Sequence, residues 1–323
     1  MTRPQPAGSV TVLGECVADA FIDPVRSGPD ALALRVLPGG GPANTAVALA
    51  RLGTPTRFLG RFSHDAFGSL FRAHLSGSGV DLTGCVTVTD PSSLAVADLD
   101  ETGQATYTFY ADGAADWHWT AAELAGTRPE DTACLHTGSL ALIRRPGGGR
   151  IEDHLATARE HVTVSIDPNV RPRLVPPSAY RERLPHWCAL ADVLRLSEDD
   201  LALLAPGASA EKVCDTWHAA GARLIVITLG ARGALASLNG RRVRVPAPAV
   251  DVVDTVGAGD SFTAGLLHRL SVLGHLGGRL DALTLEDVTD ACSYAAQVAA
   301  LTCSVRGANP PHAQDAGHRP MVR

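Results

Sequence analysis

The run Asp254 to Leu270, DTVGAGDSFTAGLLHRL, holds the residues whose types and spacing best suit chemistry. Gly257, Ala258 and Gly259 carry almost no side chain and precede an apolar-periodic helix, so their backbone N–H groups can face an anion at a helix N-terminus. This is a phosphate cradle that needs no lysine. Asp260 falls in the first helical turn, where the dipole and the unpaired amides favour its ionised form. A carboxylate beside an oxyanion site can accept a proton from a hydroxyl as a phosphoryl group is transferred to it. On these residues alone a second role stays open, in which Asp260 only caps the helix after a glycine turn.

Composition narrows the chemistry further. The chain has 323 residues, with Lys+Arg at 28 and Asp+Glu at 34, a net charge of −6. A general electrostatic grip on nucleic acid or on an anionic membrane is therefore not expected. The one lysine, Lys212, lies in the helical run ASAEKVCDTWHAA, far from any G-K-[S/T]. That excludes a Walker A loop and a Schiff-base lysine in a glycine-flanked pocket. No stretch approaches about 18 uninterrupted apolar residues, and MTRPQPAGS has no apolar core, so a cytoplasmic protein is expected. The seven cysteines are scattered and never spaced C-x-x-C, which reads as reduced structural thiols.

The elements that must position the glycine run follow from periodicity. Val10 to Ala18, Thr163 to Asn169, Val193 to Glu198 and Arg223 to Gly230 are apolar, β-branched runs that end in polar residues or glycine, as buried parallel strands do. Ala43 to Gly53, Gly149 to His161 and Ala208 to Ala222 read as helices between them. The alternation predicts a doubly wound, mostly parallel α/β sheet flanked by helices, with ligands at the carboxyl ends of its strands. Ser93 to Asp116 instead alternates with period two and turns at Asp100 to Gly103, a β-hairpin. With 19–39, the segment 93–116 makes a small β-sheet lid on a main domain formed by 1–18, 40–92 and 117–311. Trp117, His118 and Trp119 close the hairpin and anchor it on the core. The polar stretch 312–323 is expected to be a mobile tail.

GAGDSF preceded by DT resembles the C-terminal signature of the ribokinase-like (PfkB) family of carbohydrate kinases, and other runs agree in order and spacing. Gly39 to Asn44, GGGPAN, is similar to the family's N-terminal G-G-x-x-x-N element, which binds sugar hydroxyls. Asp19 lies five residues after Gly14, where the family keeps a sugar-binding aspartate at the end of the first strand. Thr228 to Gly233, TLGARG, resembles the family's T-x-G-x-x-G nucleotide loop. The likeness spans residues 10 to 311. It implies a Mg·ATP-dependent kinase for a sugar hydroxyl, with Asp260 as base and Gly257, Ala258 and Gly259 as anion hole. Asp19, Gly40, Gly41 and Asn44 would hold the sugar, and Ser197, Thr228, Gly230, Gly233 and Thr255 the nucleotide.

Departures from the family pattern also carry information. The family's N-x-x-E element falls on LRLSEDDL, where Ser197 stands for Asn and Asp200 for Glu. Asp200 would then help to arrange magnesium, although Glu198, Asp199 and Asp200 also suit the acidic first turn of an exposed helix. DPNVRPRL resembles the D-P-N-x-R segment of fructokinase-like members, so Asn169 and Arg171 would approach phosphate or sugar; Arg171 could equally pair with Asp167. His136, in HTGSLAL, reads first as a structural histidine. LTCSVRGANPP resembles the segment that completes a monovalent cation site, with Asp254 and the carbonyl of Val256 as its other half and potassium as the ion. The motifs are closest to fructokinase-like members; ribokinase, 2-keto-3-deoxygluconate kinase and nucleoside kinase remain open. A homodimer through the lid is compatible with the family. A nicotinamide-dependent dehydrogenase is disfavoured because GECVAD lacks the second and third glycines of G-x-G-x-x-G. A non-catalytic sugar or nucleotide sensor would be expected to lose Asp260.

Overall fold

The computed structural model describes residues 8–99, 105–126 and 132–317. In chain order the strands are Ser9–Leu13 (β1), Val17–Ile22 (β2), Leu34–Gly39 (β3), Thr56–Leu59 (β4), Arg61–Ser63 (β5), Val86–Val88 (β6), Ser93–Leu99 (β7) and Ala105–Tyr110 (β8). They continue as Thr132–Gly138 (β9), Thr163–Asp167 (β10), Val193–Ser197 (β11), Leu224–Thr228 (β12), Ala234–Leu238 (β13) and Arg241–Val245 (β14). Eight of them form one sheet in the order β14-β13-β12-β11-β10-β9-β1-β4. From β4 to β12 every neighbour is parallel, and β13 and β14 extend that sheet antiparallel. This is the doubly wound, mostly parallel sheet that the sequence predicts.

The central strands are apolar without a break because helices cover both their faces. Side chains alternate between two cores: Val10 and Val12 point to one and Leu13 to the other, and Leu224 and Val226 oppose Ile225 and Ile227. On the first face lie helices Gly41–Arg51, Ala258–Val272 and Leu285–Cys303; on the second lie Gly147–Ala158, Pro177–Leu190 and Ala210–Ala219. Trp117 and Trp119, each 2% exposed, belong to the second core, so they fix the chain after β8 to the main sheet.

The four strands β3-β2-β7-β8 form the separate small sheet. One boundary differs from the sequence expectation. The apolar run Val10 to Ala18 reads as a single strand, yet it divides: β1 ends at Leu13 in the main sheet and β2 begins at Val17 in the small one. The break falls at Gly14, where a Cβ would lie 2.3 Å from Pro42 Cγ, so the chain must be bare for the next helix to pack there. Asp19 consequently belongs to the small sheet, not to the end of the first strand. The hairpin turn expected at Asp100 to Gly103 lies outside the described residues. At the other end, Ala313–Ala316 is a short helix with Ala316 buried, so ordered packing extends past residue 311. No helix among the described residues is long and apolar enough to cross a membrane.

The position of helix Ala258–Val272 depends on a close crossing with Leu285–Cys303. A Cβ on Gly265 would lie 2.8 Å from Ala295 Cα and 3.3 Å from Val298 Cβ. Gly265→Val should therefore force the helices apart and cost about 1–3 kcal/mol, as overpacking does. Urea denaturation reads this as a lowered midpoint with unchanged slope.

Candidate active site

Five parallel strands end on one edge, and their last residues build a cleft. β1 leads into Glu15, β9 ends at Gly138, β10 at Asp167, β11 at Ser197 and β12 at Thr228. Facing this edge are the N-termini of helices Gly41–Arg51 and Ala258–Val272.

Helix Ala258–Val272 starts from Gly257, whose φ of 76° is left-handed. Glycine takes that conformation at little cost, and a Cβ there would also lie 2.7 Å from Ala308 Cβ. The amides of Ala258, Gly259 and Asp260 form the first turn, where no intrahelical acceptor exists for them. Asp260 is half-buried, and its Oδ2 accepts a hydrogen bond of 2.8 Å from Asn44 Nδ2. Burial foremost, with nearby Asp167, raises its carboxyl, while Asn44, Arg171 and Arg195 pull it down, and the balance leaves it at about 6.

Gly40 has φ 104°, and a Cβ on it would lie 2.7 Å from Glu15 O. A Cβ on Gly41 would lie 2.6 Å from Asn169 Nδ2 and 3.3 Å from Asp260 Oδ1. Bare backbone, an amide and a carboxylate thus meet around one small space. Asn169 is itself held left-handed at φ 41°, with its N–H donating to Asp167 Oδ1 at 3.1 Å. Asp19 hangs from β2 over Gly39, where a Cβ would lie 2.0 Å from Asp19 Oδ2. Burial pushes the Asp19 carboxyl up to about 6, with Arg171 pulling it down. The Arg171 guanidinium acts on Glu15, Asp19 and Asp260 together. The alternative pairing of Arg171 with Asp167 is not made: Asp167 pairs with Arg195 instead.

Two residues here carry no motif signal. Glu15 is 2% exposed, accepts from Ala141 N at 3.1 Å, and has its carboxyl raised by burial. Arg195 is 4% exposed beneath the glycine run: Nη1 meets Asp167 Oδ2 at 2.8 Å and Nη2 donates to Thr228 Oγ1 at 2.7 Å. A Cβ on Gly259 would lie 2.9 Å from Arg195 Nη1, so the glycine run rests directly on this guanidinium. Arg195 sits inside the apolar strand run VLRLS, and a charge in a buried strand was the available signal.

On the nucleotide side, Thr228 closes β12 and leads into the turn Gly230–Arg232, with Gly230 and Gly233 both at positive φ. A Cβ on Gly233 would lie 1.9 Å from Val245 O. Thr255 stands before the glycine run, and its carbonyl accepts from Ala258 N at 3.2 Å. Ser197 caps helix Glu198–Leu204 and forms a capping box with Asp200. This is the helix-start role that the sequence also allows for Asp200. Its Oδ2 accepts from Ser197 Oγ at 2.6 Å and Ser197 N at 3.0 Å, and its Oδ1 accepts from Val170 N at 2.8 Å. Both oxygens accept hydrogen bonds and the residue is 6% exposed, so Asp200 braces the Asn169–Val170 loop. Glu198 pairs with Arg232 at the surface. His136 is 2% exposed, bonded to Ser165 Oγ at 2.9 Å, and burial pushes it down to about 3, as a neutral structural histidine.

Asp254 ties the glycine run to the segment after the last long helix. Its Oδ2 accepts from Gly307 N at 2.8 Å and its Oδ1 from Val256 N at 3.1 Å, which holds its carboxyl below the usual range. Among the described residues there is no group of three or more His, Cys, Asp or Glu side chains that could cage a metal.

A family model described as pfkB family carbohydrate kinase matches residues 7–315. A fructokinase of Klebsiella pneumoniae is 36% identical over 280 residues, covering 83% of this chain and 86% of its own. Fructokinase from Vibrio cholerae O395, solved with fructose, ADP and a calcium ion, superimposes with a TM-score of 0.79 at 30% identity, covering 94% of this chain and 95% of that one. A double mutant of it, with fructose, ADP and a potassium ion, gives 0.80 at 30% identity and 95% coverage of both chains. Aminoimidazole riboside kinase from Salmonella enterica, with aminoimidazole riboside and an ATP analogue, gives 0.76 at 26% identity, covering 93% and 95%.

Arg195→Met leaves the buried Asp167 carboxylate without its cation. Removing one partner of a buried pair costs about 3–5 kcal/mol. Denaturant melts should show this loss, and an unchanged midpoint would mean the pair does not brace the glycine run.

Proposed function

We propose, from the premise that the chain belongs to the pfkB family of carbohydrate kinases, that it transfers the γ-phosphoryl of ATP to a hydroxyl of fructose. That it is an ATP-dependent sugar kinase of the fructokinase-like kind follows from the family and from relatives of that name. The observation that carries the mechanism is the meeting of Asp260, Asn44, the Gly41 backbone and Asn169 at a helix N-terminus.

The acceptor lies between the small sheet and the strand ends. Asp19, the Gly40–Gly41 backbone, Asn44, Asn169 and Arg171 hold its hydroxyls. With a carboxyl near 6, Asp260 is roughly nine-tenths ionised at pH 7. It accepts the proton of the attacking hydroxyl, while the amides of Gly257 and Gly259 offset charge that develops on the transferred group, with the Ala258 amide held by Thr255 O. Asn44 both orients the carboxylate and keeps it from being pushed up further. Ser197, Thr228, Gly230, Gly233 and Thr255 bound the nucleotide.

Magnesium enters as part of the Mg·ATP substrate, where it neutralises phosphate charge. That suits a protein with no carboxylate cage among its described residues, since this ion keeps most of its water and is commonly held through phosphates. Potassium is the proposed monovalent ion, held by backbone carbonyls around Val256 and by the turn that Asp254 ties to Gly307. A homodimer through the small sheet is supported by the exposed Phe21, Leu34, Leu37, Tyr107 and Tyr110. Seven unpaired cysteines suit a reducing cytoplasm.

The riboside kinase neighbour favours one second reading, a nucleoside acceptor. An ADP-release screen over fructose, ribose, 2-keto-3-deoxygluconate and adenosine separates the two, with fructose expected to give the highest kcat/KM. No turnover with fructose beside turnover with another acceptor would overturn the choice. Asp260→Asn should lower kcat by about two to four orders of magnitude with the circular dichroism spectrum unchanged. Near-normal kcat would remove Asp260 as the base.

A further inference from the structure

Asp116 carries no assigned role, is 3% exposed, and lies where the two sheets join. It sits on the turn Ala115–Trp117, which the main domain holds at two points and the end of the β8 segment at a third. Ala115 N donates to Pro91 O at 2.9 Å, Arg61 Nε donates to Ala115 O at 2.9 Å, and Trp117 Nε1 donates to Ala111 O at 2.6 Å.

From this fixed turn the carboxylate reaches both central strands of the small sheet at their roots. Oδ1 accepts from Cys16 N at 3.1 Å, and Oδ2 accepts from Ser93 Oγ at 2.7 Å. Cys16 directly precedes β2 and Ser93 opens β7. Val17 and Ser93 are the first paired residues of that parallel ladder, and Asp19 and Ala95 pair two residues further on. One side chain therefore grips the small sheet where both strands leave the main domain. Asp19 is three residues beyond Cys16, about 10 Å along a strand, so a tilt of about 6° at the root would move its carboxylate by about 1 Å. A displacement of that size is enough to cost a bound reactant its alignment.

We propose that Asp116 is a positioning residue for the acceptor: it sets the angle at which the small sheet leaves the main domain, and so the place of Asp19 over the cleft. The proposal rests on Asp19 holding the acceptor, as described above.

The test is steady-state kinetics with fructose, or the acceptor the screen returns, on Asp116→Ala, Asp116→Asn, Ser93→Ala, Asp19→Asn and the double variant of Asp116→Ala with Asp19→Asn. Asp116→Ala should raise the acceptor KM about tenfold or more with the ATP KM within about twofold. Asp116→Asn keeps an oxygen for the Cys16 amide and should recover most of the loss. Ser93→Ala removes one of the two bonds and should raise the acceptor KM by a smaller factor. Because Asp116 acts through Asp19, adding Asp116→Ala to Asp19→Asn should raise KM by less than about twofold more. Full additivity, an equal rise in the ATP KM, or unchanged acceptor KM in the Asp116 and Ser93 variants beside a raised one in Asp19→Asn would overturn the proposal. If Asp116→Ala does not fold, Ser93→Ala and Asp116→Asn decide it by the same measure. An unchanged acceptor KM in Asp19→Asn itself would overturn the underlying assignment of Asp19.

Discussion

Burying a carboxylate beside a second carboxylate is unfavourable for the ionised form, and the cleft is arranged so that Asp260 can still ionise near neutral pH. Burial and Asp167 push its carboxyl upward. The Asn44 amide, the helix N-terminus and the cations of Arg171 and Arg195 work the other way. Arg195 has two tasks in this balance. It pairs with Asp167, which offsets part of that carboxylate's push on Asp260, and it supports Gly259 from below. The absence of a side chain at Gly259 is what lets a guanidinium lie directly under the glycine run.

The same bareness recurs where backbones must approach one another. Gly14 lets Pro42 pack against the turn after β1, Gly39 leaves room for the Asp19 carboxylate, and Gly41 brings its backbone between Asn169 and Asp260. Each contact joins segments distant in the chain, so the cleft is assembled from four loops on one rigid sheet edge. The small sheet adds Asp19 from above and is joined to the main domain through Asp116, Cys16 and Ser93. Geometry in the cleft therefore depends on hydrogen bonds made at its margin.

The fold was legible in the sequence where burial on both faces left unbroken apolar runs, as in TVSID and LIVIT. The glycine run and its aspartate were legible because few residue types permit such a turn. The break at Gly14 was not: VTVLGECVA is apolar on both sides of a hinge whose existence depends on Pro42, a tertiary neighbour. The bracing role of Asp200 was not legible: an acidic residue three positions after a serine suits a metal or a capping box equally, and the Val170 amide on its other oxygen comes from a segment 30 residues away. Glu15 and Arg195 escaped because their partners, Ala141, Asp167 and Thr228, lie far along the chain.

The most direct test of Asp260 as the proton acceptor is the pH dependence of kcat/KM for the acceptor, which reports ionisations of the free enzyme. Asp260 and Asp19 are both pushed up to about 6, so the profile is measured in the wild type and in Asp19→Asn. With Asp260 ionised above its midpoint and active only then, kcat/KM should fall as pH drops through about 6, and the limb should persist in Asp19→Asn. A limb at the ordinary aspartate value of about 4, or one that disappears with Asp19, would contradict the account.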